Sequence, residues 1–141
     1  MRILYFGAYN ALDQRNSIIM DGLRQNNVEI VECQDNSPGL KKFIKLFRKH
    51  WALRNQYDLI FVGFLGHILM PLVVLINSPL VSFRSRKPVL LDGFMSLYDS
   101  NVFGRRKYGP QSFKGYYYWL LDWTAFHLAD MVLFDTYKHI E

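Results

Sequence analysis

One cysteine, Cys33, occurs in the 141 residues, which excludes an internal disulfide and a thiolate metal cluster and fits a reducing, cytosolic setting. A secretory signal is not expected, because Met1 and Arg2 lead directly into a short apolar run that ends at Gly7. A membrane-spanning run is also lacking: the longest greasy stretch, Ile68 to Phe83, falls short of the roughly 20 residues required and contains Pro71 and Pro79. There is no internal repeat, low-complexity tract or interdomain linker. The length suits one domain with a substantial core and is too short for two comparable ones.

What is present is apolar and basic. Half of the residues are hydrophobic, 16% are aromatic and 21% are charged, a balance that excludes disorder. The net charge of +5 is concentrated, since Lys41, Lys42, Lys45, Arg48, Lys49 and Arg54 occupy a stretch with no carboxylate between Asp35 and Asp58. Such a patch suits anionic lipid, nucleic acid or a phosphorylated ligand; a solvated helix face is the plainer explanation. Phe43, Phe47 and Trp51 recur at helical spacing among these cations, giving a basic amphipathic segment from Leu40 to Arg54 of the kind that lies on a membrane surface. Nucleic acid is not expected as a partner, because no base-reading motif accompanies the cations.

Five short apolar runs read as strands: Ile3 to Phe6, Val28 to Cys33, Leu59 to Val62, Val89 to Leu91, and Met131 to Phe134. Val28 to Cys33 alternates more than the others and is expected nearer an edge. Helical spacing fills the connections, with Ile18, Ile19 and Leu23 in the first and Leu40, Phe43, Ile44, Phe47 and Trp51 in the second. The third connection, Ile68 to Phe83, should be helical but broken by its prolines. The fourth is a polar loop from Asp92 to Ser112, followed by a helix from about Phe113 to Ala129. This alternation predicts an α/β, Rossmann-like, doubly wound parallel sheet of about five strands in the order 3-2-1-4-5, with helices on both faces.

Ligands of such sheets sit beyond the carboxyl ends of the strands, which selects four loops: Gly7 to Gln14, Gly63 to His67, Asp92 to Gly109, and Asp135 to His139. The first places Gly7 and Asn10 before a helix, where amides could face a ligand, but it lacks the full GxGxxG spacing and Gly7 equally suits a tight turn. In the second, Gly63 and Gly66 allow close backbone approach, and His67 could donate to a hydroxyl or phosphate or simply cap the helix. In the third, Asp92 and Asp99 flank Ser96 and Tyr98. A carboxylate there could orient or deprotonate a hydroxyl, with turn formation and capping as the competing roles. Arg105, Arg106 and Lys107 follow, suited to meet an anion or to remain a solvated loop. The aromatic set Tyr116, Tyr117, Tyr118, Trp119, Trp123 and Phe126 surrounds more of one helix than a core stripe requires, so part of it is expected to meet a partner.

Taken together, MRILYFGAYN, DGLRQNNVEIVEC, YDLIFVGFLGH, PVLLDGFMSLYDS and LADMVLFDTYKHI resemble the N-terminal domain of the GT-B-fold glycosyltransferases of family 4. The resemblance spans essentially the whole chain and rests on the order and spacing of these segments. It implies the acceptor side of an enzyme that moves a sugar, with retention, from a nucleotide-sugar co-substrate to a lipid-linked or cell-envelope glycan. It further implies that Gly7 and the residues after it line the cleft near the donor phosphates, while Gly66, His67, Asp92 and Asp99 face the acceptor. The family's donor half supplies two glutamates seven residues apart, whereas the glutamates here are Glu29, Glu32 and Glu141. The expectation is therefore a half-enzyme, inactive without a donor-binding domain or subunit, needing no metal or bound cofactor of its own, and cytoplasmic with possible peripheral membrane attachment. A non-catalytic scaffold and a small flavodoxin-like nucleotide-binding protein are the alternatives.

Overall fold

The structure is a computed structural model that describes residues 1–10, 13–83 and 85–134. Five strands, β1 (Arg2–Gly7), β2 (Glu29–Gln34), β3 (Leu59–Val62), β4 (Val89–Asp92) and β5 (Met131–Leu133), form one sheet in which every pairing is parallel. The helices between them are α1 (Gln14–Gln25), α2 (Lys41–Leu53), α3 (Met70–Asn77), α4 (Pro79–Ser82) and α5 (Phe113–Leu128). A 3-10 turn at Gly66–Leu69 leads into α3, and a π turn at Asp99–Gly104 lies in the long β4–α5 connection.

The class is the expected one, but the strand order is 2-1-3-4-5 rather than 3-2-1-4-5. β1 pairs with both β2 and β3, which places β3 at the centre and β2 at an edge. The residues account for this. Ile60, Phe61 and Val62 are all buried, as a strand covered on both faces requires, whereas Glu29 and Glu32 leave β2 exposed at two places and only Cys33 of it is buried. β2 does lie at an edge of the sheet, where its more polar sequence placed it.

The reversal of winding direction after β2 distributes the helices unequally, since right-handed crossovers in opposite directions fall on opposite faces. On one face Leu46 of α2, Met70, Val73 and Ile76 of α3 and Ala125 of α5 pack on Leu4, Phe6, Ile60, Val62, Val89 and Leu91. On the other, Met20 of α1, with Ile19 and Leu23, packs on Ile3, Tyr5 and Phe61. The third connection is helical and broken, as expected: α3 ends at Asn77, Ser78 is extended, and Pro71 and Pro79 each lie in the first turn of a helix, where a missing N–H costs nothing. Ser112 caps α5, its Oγ accepting from the Gly115 amide at 3.0 Å.

Candidate functional site

The strand order reverses between β1 and β3, so the crevice favoured for ligands opens where Gly7 and Gly63 end those strands. α1 starts at this crevice. Its first turn carries no acidic residue and includes Arg15, although the helix macrodipole favours negative charge there. The counter-ion of Arg15 comes from β4. Asp92, wholly buried, accepts two hydrogen bonds from Arg15, at 2.8 Å from Nε and 2.6 Å from Nη2. A paired, hydrogen-bonded carboxylate is the form in which such a charge is tolerated inside a protein.

The Arg15 guanidinium also lies over the ring of Phe94, 4.0 Å from its centroid. Beside it is an open cavity of about 330 Å³ lined by Gln14, Arg15, Ile18, Ile19, Phe64 and Phe94. Helix α1 provides one wall, and the residues just beyond β3 and β4 provide the other. The lining is apolar except at Gln14 and Arg15. The strand-to-turn passage after Phe64 is strained: Leu65, half exposed, has φ of 62°, a left-handed conformation that costs a non-glycine residue roughly 1 kcal/mol.

A second buried cluster lies on the opposite face. Asp122, the one carboxylate of α5, accepts from Ser96 Oγ at 2.7 Å, from the Tyr98 amide at 2.9 Å and from the Leu97 amide at 3.1 Å. This single side chain ties the start of the β4–α5 connection to α5. His67 Nε2 stands 3.8 Å from Asp122 Oδ1, and neither ring nitrogen has a hydrogen-bond partner among the described residues. Burial pulls the His67 pKa below its ordinary value, against the opposing pull of the Asp122 and Asp92 carboxylates. A third network joins Tyr5 to Asn16, whose Oδ1 accepts from the phenol at 2.9 Å. Burial raises the pKa of Tyr5 well above the ordinary phenolic value, so it stays protonated.

The residues expected to form the site are distributed as follows. Gly7, Gly63, Gly66, His67 and Asp92 lie together at the carboxyl ends of β1, β3 and β4, and all are buried. His67, 1% exposed, and Asp92, fully enclosed, are therefore closed off from solvent in this arrangement. The missing side chain at Gly66 serves packing, because a Cβ there would meet Val62 Cγ1 at 2.2 Å. Ser96 and Tyr98 are held by Asp122, while Asn10, Asp99 and Arg105 are exposed. Asp92 and Asp99 stand in different surroundings: one is engaged by Arg15 and the other faces solvent on the π turn. The loop from Asp135 to His139 lies outside the described residues.

Along α2, Lys41, Lys45, Arg48, Lys49 and Trp51 are exposed and Lys42 is partly so. Lys45 and Lys49 lie 4.0 and 3.6 Å from Asp35, whereas Lys41, Lys42 and Arg48 have no carboxylate partner among the described residues. Trp51 stacks on Phe47 with ring centroids 6.2 Å apart. Sequence reasoning missed Arg15, Asn16 and Asp122. A carboxylate alone in an aromatic helix, and a cation in the first turn of another, were the available signals. Among the described residues no group of three or more His, Cys, Asp or Glu side chains comes together as metal ligands, and no helix is long and apolar enough to cross a membrane. Comparison with protein-family models, with curated proteins and with solved structures returns no match, so the geometry of the site carries its interpretation.

Proposed function

We propose that this domain is the acceptor-binding half of a retaining glycosyltransferase, working with a donor-binding domain or subunit, on a lipid-linked or cell-envelope glycan. The observation that carries the reading is the cavity beside α1. Ile18, Ile19, Phe64 and Phe94 offer an apolar wall, and Arg15, held by Asp92, sets one cation at its rim. That combination suits an amphiphile, with its apolar part in the cavity and an anionic or hydroxyl-bearing head toward the crevice. The first-turn amides of α1 face the same region and lack intrahelical acceptors, so they would meet donor phosphates from one side. Stabilising a departing nucleoside diphosphate requires cations or amides all around it, which is why a second wall belongs to the proposal.

The sequence resemblance supports the same assignment and supplies its stereochemistry. The proposal includes a cytoplasmic setting with peripheral attachment through α2, supported by Lys41, Lys42 and Arg48, which lack carboxylate partners among the described residues, and by exposed Trp51 on the same helix. Calorimetry with a detergent-soluble, short-chain polyprenyl-diphosphate-linked monosaccharide tests the site. Binding to the unaltered domain and its loss in Ile18→Glu, an exposed helix position, are expected. Equal binding by the variant, or no binding by either, would overturn the assignment.

One observation favours a second reading. The order 2-1-3-4-5 is also that of flavodoxin-like nucleotide-binding proteins, whose cofactor sits at the same β1/β3 switch point. Against it, the loop after β1 has no run of Ser, Thr and Gly to cradle a phosphate, and the buried ring of Tyr9 occupies part of that region. A coloured cofactor retained through purification would favour this alternative.

A further inference from the structure

Helices α2, α3 and α5 share one face of the sheet, with α3 in the middle, and their outward sides form a single layer of surface. The layer is divided by chemistry. From Ile68 to Phe83, through α3 and α4, there is no charged residue, and Leu75, Leu80 and Phe83 stand exposed. On α5, Tyr116, Trp119, Leu120 and Trp123 are each at least 41% exposed, and the only charged residues of that helix are Lys114 and the buried Asp122. Monomeric proteins rarely leave so much contiguous apolar surface to water. On the α2 side, the same layer carries Lys41, Lys42 and Arg48 without carboxylate partners, together with exposed Ile44 and Trp51.

The α5 rings form a ladder. Tyr116 stacks on Trp119 with centroids 5.5 Å apart, Trp119 on Trp123 at 6.4 Å, and Trp123 lies 4.3 Å from the His127 ring. Ring faces that cover one another leave mainly edges and polar tips outward, which argues against a platform for stacking sugars. Indole and phenol edges with uncharged surroundings are suited to the boundary between lipid head groups and acyl chains.

We propose that the outward side of this helical layer is a docking surface for an anionic lipid bilayer, with the α5 ladder and the α4 tip entering the interface and the α2 cations meeting head-group phosphates. Charge complementarity selects this occupant. An anionic bilayer satisfies the cationic margin and the apolar centre together. The inference rests on the peripheral attachment through α2 and extends it to a second, apolar element.

Vesicles of phosphatidylcholine containing about a third phosphatidylglycerol, with acyl chains brominated near the head group, provide the test. In a Trp51→Phe background the emission reports only Trp119 and Trp123. Quenching and a blue shift are expected on vesicle addition, and Trp119→Ala with Trp123→Ala should weaken partition, followed by sedimentation, by about tenfold. Lys41→Glu, Lys42→Glu and Arg48→Glu together should remove the preference for phosphatidylglycerol. Retention that is lost with the charge reversal but unchanged by the tryptophan substitutions would overturn the ladder's role and leave attachment through α2 intact. No retention of the unaltered protein would overturn both. A dimer in sedimentation velocity that the tryptophan substitutions dissociate would assign the ladder to a second copy instead.

Discussion

Asp92, a candidate catalytic carboxylate in the sequence, is an enclosed and paired charge in the structure. It ends β4 at the candidate crevice, and its carboxylate is enclosed and accepts from Nε and Nη2 of Arg15. Arg15→Met would leave a buried charge without its counter-ion and should cost about 3 kcal/mol, read as a lower urea midpoint, with Asp92→Asn added in the same chain restoring much of the loss. If Arg15→Met alone unfolded at the original midpoint, the pair would be peripheral to stability. His50 supplies a pH prediction. It is buried and 2.5 Å from the Tyr57 hydroxyl, and burial, reinforced by Arg54 and Lys87, lowers its pKa to about 4. Above the unfolded value near 6.5 neither state binds the proton. Between 6.5 and 4 the unfolded chain binds it and the folded one does not, so stability falls with pH across that window, by about 3 kcal/mol in all. Urea midpoints measured from pH 7 to 4.5 should show this slope, and His50→Gln should make it shallower, with buried His67, whose pKa is also lowered, supplying part of what remains.

At the scale of elements, the strands and the long helices were legible because burial on both faces leaves unbroken apolar runs and burial on one side leaves helical spacing. All five strands lie where the apolar runs placed them, and the first and second helices follow their apolar spacing. Order was less legible. It depends on which strand is central, and for that the exposed Glu29 and Glu32 of β2 carried more information than the apolar runs themselves. The π turn at Asp99–Gly104 was hidden for a different reason: its anchor is Asp122, some two dozen residues away, and no local pattern reports a long-range carboxylate. Asp122→Asn should loosen this connection specifically. Amide exchange at Leu97 and Tyr98 is expected to quicken by an order of magnitude or more, while exchange in β1 and β3 stays unchanged. Uniform acceleration across the sheet would instead make Asp122 a general stability determinant.

For the molecule as a whole, the two faces of the sheet divide the work. α1 alone, with Met20 packed on Tyr5 and Phe61, borders the crevice and the cavity at Phe64 and Phe94, while the three-helix face carries the cations and the aromatic ladder. The candidate site was partly legible: the loops after β1, β3 and β4 lie at the carboxyl ends of their strands, and Gly7, Gly63 and Asp92 converge there. The roles within it were not, because Arg15, which sets the electrostatics, lies on a helix and is joined to Asp92 across 77 residues of sequence. Mapping amide chemical-shift changes on titration with the short-chain polyprenyl-diphosphate-linked monosaccharide tests the central claim most directly. Changes should concentrate at Gln14 to Ile19, Phe64 and Phe94, with UDP-glucose producing only weak shifts near the start of α1. Shifts confined to other surfaces, or a nucleotide-sugar bound tightly and enclosed by this chain alone, would contradict it.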